Sequence, residues 1–108
     1  MGNYGANQFR AIPVPIVDFT DGAPISVADL AADMTFSLAG SFTGNYIIMG
    51  SQDGLSYSPI TQWIGIVGAT VMSSDVNANV AWVKVRRRSA DMVVISVAGQ
   101  LVCDCQQS

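Results

Sequence analysis

From Thr35 onward the chain alternates apolar and polar positions. Phe36, Leu38 and Phe42 fall on one side with Gly40, and Thr35, Ser37 and Ser41 on the other. That period of two predicts a half-buried antiparallel strand. Thr43-Gly44 reads as a turn, and residues 45–51 are apolar on both faces, as a central strand would be. Gln52-Asp53-Gly54 predicts a tight turn, because Asp-Gly is a strong hairpin signal. Residues 55–60 predict a short strand closed by Pro59. Residues 62–72 are apolar, with Gly65 and Gly68 marking bends or bulges. Residues 73–77 read as a loop. Residues 79–87 predict a strand with Trp82, Lys84 and Arg86 on one face and Val83 and Val85 on the other. After a turn at 89–91 comes a β-branched strand (92–98), a turn at Gly99-Gln100 and a last short strand (101–105).

The beginning of the chain behaves differently. Residues 1–11 are polar, rich in Gly and Asn, and without periodicity, so they read as an extended arm. Residues 12–19 are apolar but carry Pro13 and Pro15, which fits an edge strand or strap, since proline cannot donate to a sheet ladder. Residues 20–24 form a turn. Residues 26–32 are the one helix candidate, with Ser26 as cap. Seven or eight short strands with turn signals every eight to twelve residues predict one all-β domain. The expectation is a single antiparallel β-sandwich, jelly-roll-like, over residues 12–108 with the arm at 1–11.

Composition sharpens this. The 108 residues include no His and no Glu, and Lys84 is the single Lys. Helices use Glu and Lys heavily, so their scarcity favours strands. Without His the chain lacks the side chain that titrates nearest neutrality, which weighs against acid–base catalysis. No Gly-x-Ser-x-Gly elbow or phosphate loop occurs. No enzyme, cofactor or metal site is expected. Asp18 and Asp21 read as solvated turn formers. The net charge of −3 argues against nucleic acid as partner. The longest apolar run is about ten residues, against roughly 20 for a membrane helix, and the N-terminus does not read as a signal peptide. Cys103 and Cys105, two apart near the end, read as free thiols of a chain made in a reducing cytosol.

The cations are concentrated. Lys84, Arg86, Arg87 and Arg88 are four of the five, and Arg10 is the fifth. They read either as a solvated strand end or as a docking point for an acidic protein surface. Tyr46, Tyr57, Trp63 and Trp82 read as core or oligomer-interface residues, with glycan stacking as the alternative for the aromatic side chains.

The stretch from Phe42-Thr43-Gly44 through Ser51-Gln52-Asp53-Gly54 to Tyr57-Ser58-Pro59-Ile60, followed by Trp82-Val83-Lys84-Val85-Arg86 and residues 92–99, resembles small β-sandwich structural proteins of tailed phages. Their members include capsid decoration, or cement, proteins. The Ser-x-Asp-Gly turn is also similar to that of discoidin-like carbohydrate-binding domains, which are longer than this chain. The first resemblance implies a virion protein on the outer capsid surface, made in the host bacterial cytoplasm. Its partners would be the major capsid protein and itself, as a homotrimer. Asn3, Tyr4, Phe9 and Arg10 of the arm, with Lys84, Arg86, Arg87 and Arg88, would contact the shell. Tyr57, Trp63 and Trp82 would sit at the oligomer interface. The alternative is a carbohydrate-binding module of a phage tail, with Tyr57 and Trp63 stacked on sugar, or another head–tail structural component.

Overall fold

The computed structural model describes residues 7–14, 20–87 and 93–101. Among them are six strands and no helix: β1 (Asn7–Ile12), β2 (Ile25–Ser26), β3 (Leu30–Ser51), β4 (Ser58–Asn77), β5 (Trp82–Arg87) and β6 (Val93–Leu101). All pair antiparallel. The all-β sandwich read from the sequence is the fold observed.

The sandwich is made in an economical way. β3 and β4 form one hairpin along almost their whole length. On the other edge of β3, β6 pairs with its first half and β5 with its second. These two pairings share one register: the six steps from Gly40 to Tyr46 match the six from Arg87 to Val93. A straight strand of 22 residues would be about 70 Å long, yet the molecule is 46 Å in its longest dimension. The hairpin therefore folds over at its middle. The first layer has the order β1-β6-β3-β4, and the second β2-β5-β3-β4.

The fold-over coincides with a cluster of glycines. Gly40, Gly44 and Gly68 have φ of 124°, 100° and 70°, conformations that an L side chain resists. The β3–β4 register shifts around Phe42 and between Gly44 and Tyr46. Such bulges sharpen a strand's bend without ending its pairing. The two layers enclose Ile12, Phe36 and Leu38 from one side and Tyr46, Ile48, Val83 and Val85 from the other, with Ile95, Val97, Val27 and Trp63. Each large apolar side chain buried here contributes about 1.5–3 kcal/mol. On the open side, Thr61 and Ser74 hydrogen-bond across the layers at 2.9 Å, so the two halves of β4 stack one above the other.

Several sequence expectations are corrected. Residues 7–11 are not a free arm: with Ile12 they form β1, paired with β6, and Ile12 is buried. The helix candidate is instead a single turn, closed by Leu30 N donating to Val27 O, that leads into β3. Thr43-Gly44 and Gly99-Gln100 are not turns but lie inside strands, and 73–77 is strand rather than loop. Of the predicted strap (12–19) residues 15–19 with Asp18, of the last predicted strand (101–105) residues 102–105 with Cys103 and Cys105, and the predicted turn at 89–91 lie outside the described residues.

The bend yields a prediction. A Cβ on Gly68 would meet no atom within 4 Å, so Gly68→Ala costs backbone strain alone, about 1–2 kcal/mol. Gly68→Asn, which tolerates the left-handed region, should recover much of that loss. Urea unfolding of the two variants checks this, and equal losses for Ala and Asn would contradict it.

Candidate functional site

Strand alternation decides where the charges go. In β5, Val83, Val85 and Arg87 point inward while Lys84 and Arg86 point outward. The cation cluster is thus not one patch. Arg87 is among the most fully buried side chains, next to Tyr46 in register. Lys84 and Arg86 share one carboxylate. Arg86 donates from Nε and Nη2 to Asp21 at 2.7 and 3.3 Å, and Lys84 Nζ lies 2.9 Å from Asp21 Oδ2. Lys84 Nζ also sits 4.0 Å from the centre of the Tyr57 ring, a cation–π arrangement. Asp21 reaches them through an isolated bridge to Arg86 that extends the second layer. The hydrogen bond from Arg86, joined by that from Lys84, holds the Asp21 carboxyl below the usual carboxylate range. Asp21 is therefore not the solvated turn former expected from its sequence context.

At the β1/β2 side of the sandwich, Arg10 crosses from the first layer to the second. Its guanidinium makes a forked pair with Asp29, both bonds 2.7 Å, and also donates to Ser26 O at 3.3 Å. Its hydrogen bond lowers the Asp29 pKa. Arg10 closes the side of the sandwich instead of reaching out on an arm.

The turn between β3 and β4 is built as read. Asp53 Oδ1 accepts from the amides of Leu55 and Ser56 and from Ser51 Oγ. Those bonds bring the Asp53 carboxyl down to about 2. Gly54 has φ 78° and lies against Trp82, where a Cβ would be 3.2 Å from the indole Nε1. A shallow depression of about 400 Å³ beside this turn is lined by Gln52, Asp53, Ser56, Ser58 and Asn79 among others.

Tyr46 and Trp63 pack in the core, the first of the roles expected for the aromatic residues, and the alternative, a glycan platform of Tyr57 and Trp63, does not form. Trp63 is 5% exposed in the core, opposite Tyr46, and cannot stack on a sugar. Tyr57 has its ring under Lys84, and Trp82, 37% exposed, packs on Gly54. The structure brings Tyr57 and Lys84 together but leaves Trp63 apart. Asn3, Tyr4 and Arg88 lie outside the described residues. Among the described residues no three thiol or carboxylate groups converge as metal ligands would.

The outer face of the first layer is unusual in another way. Register places Phe9, Ala98, Thr35 and Asp75 in one row across it, Ala11, Ser96, Ser37 and Ser73 in the next, and Val94, Ala39 and Val71 in a third. Phe9 is 74% exposed and Val94 61%. Apart from Asp75, whose carboxylate accepts from Thr35 Oγ1 at 2.7 Å, the rows hold small or apolar residues, and they hold no cation. Sequence reading missed this face because no single strand carries it. It also missed Asp21 and Asp29, whose partners lie 65 and 19 residues away. Compared with family models, curated proteins and solved structures, the chain matches none.

Acid sensitivity follows from the three lowered carboxyls. A folded pKa below the unfolded one gives stability that is present above about pH 4 and lost as pH falls through the folded value. With no His in the chain, the melting temperature should be level from about pH 5 to 8 and fall between about pH 4 and 2. Asp21→Asn should shallow that fall. A melting temperature unchanged down to pH 2 would contradict the assignment.

Proposed function

We propose that the chain is a non-catalytic structural protein of a tailed-phage virion, which binds and stabilises the outer surface of the capsid. The observation that carries the binding part of this reading is the outer face of the first layer. Exposed side chains at Phe9, Val94 and Val71 stand among Ala, Ser and Thr, with Asp75 at the β4 end and no cation. A sheet face with exposed apolar side chains and no cation suits contact with another protein, and small residues let that partner approach the sheet closely. The resemblance of the turn and flanking strands to phage structural sandwiches supplies the virion part. The contact is apolar more than ionic, because two of the cations expected to dock, Lys84 and Arg86, are engaged by the single carboxylate of Asp21.

The test uses capsids assembled from the shell protein encoded in the same genome. The purified chain should co-sediment with them and saturate at a fixed copy number. Phe9→Asp with Val94→Asp should weaken retention at least about tenfold, since each places an unpaired charge in an apolar contact. Retention should vary little across a salt series. A genome without a shell protein, or capsids that retain none of the chain at micromolar concentration, would overturn the reading.

A further inference from the structure

The two side walls of the sandwich differ. The wall at β1 and β2 has short strands, six and two residues long. It carries Pro13 and Pro24 nearby and is closed by the Arg10–Asp29 ion pair. Short edges, prolines and charges are the means by which proteins keep a sheet edge from pairing with another chain. The opposite wall is the 20-residue β4, folded so that its halves stack. Among the described residues β4 pairs with β3 alone. Among the described residues both its halves thus present a row of backbone N–H and C=O groups outside any ladder. From Pro59 to Ser74 it holds no charged residue, and Ile64, Val67 and Val71 are 61%, 81% and 71% exposed.

We infer that this wall is a self-association surface, where β4 of one copy pairs antiparallel with β4 of a second copy across a two-fold axis. Three points select a second copy over another partner. First, the strip is neutral and therefore compatible with itself, in a molecule of net charge −3 whose copies repel elsewhere. Second, an antiparallel contact about a two-fold uses the same strand on both sides, so each edge meets its own complement. Each four-stranded layer then becomes a continuous eight-stranded one, and no β4 edge remains open. Third, the area suffices. A wall about ten residues long and about 20 Å thick covers roughly 600 Å² per copy. Two copies bury roughly 1,200 Å², where stable interfaces begin. The inference does not depend on the capsid reading: it concerns the backbone edge of β4, although Val71 also stands on the outer face of the first layer.

Light scattering after size exclusion tests it on the full chain at about 100 µM. The expected mass is twice the 11.4 kDa of one chain. Val67→Lys with Val71→Lys should bring it to one chain while far-UV circular dichroism stays that of a β protein. Leu55→Lys, at an 85% exposed position in the turn outside the ladder, should leave it at two. Amide exchange read along β4 gives a second measure that needs no variant: protection at its outward amides should rise with concentration. One chain at 100 µM with concentration-independent exchange overturns the inference. So does a mass of three chains, or a pair that survives both lysines. A single chain that still saturates capsids would overturn this pairing and leave the capsid reading standing.

Discussion

A β-hairpin of more than 40 residues cannot stay flat in a chain of 108, because too little polypeptide remains to cover both of its faces. Folding the hairpin onto itself removes the difficulty, since each half then covers the other. Everything else in the structure depends on that fold-over. It fixes which residues are inside, where β5 and β6 must run, and why the molecule has two unlike side walls. The backbone conformations at Gly40, Gly44 and Gly68 and the bulges between them accommodate the bend while the β3–β4 ladder continues through it.

The charge arrangement follows from the same geometry. Along β5 the period of two continues to the strand's end, so it carries Arg87 inward and leaves Lys84 and Arg86 outside. Burying a guanidinium carries a desolvation cost, and at Arg87 the inward placement follows from the strand's alternation. Outside, one carboxylate from the segment before β2 serves two cations, and on the side wall another serves Arg10. These exposed pairs contribute modestly to stability. Their larger consequence is that Arg10, Lys84 and Arg86 are engaged, which among the described residues points to the sheet face and the β4 wall as surfaces for partners.

Much of the fold was legible. Alternation at Phe36 and Leu38 and at Val83 and Val85 marks the faces that are buried, the apolar run at 45–51 lies between two partner strands, and the Asp53-Gly54 turn forms by the bonds its residues suggest. The errors share a cause. Glycine with positive φ has the same local signature in a turn and in a bulge, so the bend at Gly44 read as the end of a strand. Ser73 to Asn77 read as a loop because an edge strand can carry Ser, Asp and Asn outward without leaving the ladder. The candidate site was less legible. Which carboxylate meets which cation, and which exposed residues share a row, depend on pairings between distant segments that no local pattern encodes.

The central claim is that the two halves of β4 stack through the folded hairpin, and cross-linking tests it most directly. With Cys103 and Cys105 replaced by Ser, the pair Thr61→Cys and Ser74→Cys occupies positions whose hydroxyl oxygens are 2.9 Å apart. Mild oxidation should join them within the single chain, in high yield and without loss of β-sheet circular dichroism. A flat hairpin would hold the two positions far apart. Thiols that stay free under oxidation, or that link only between chains, would contradict the folded sheet and the account built on it.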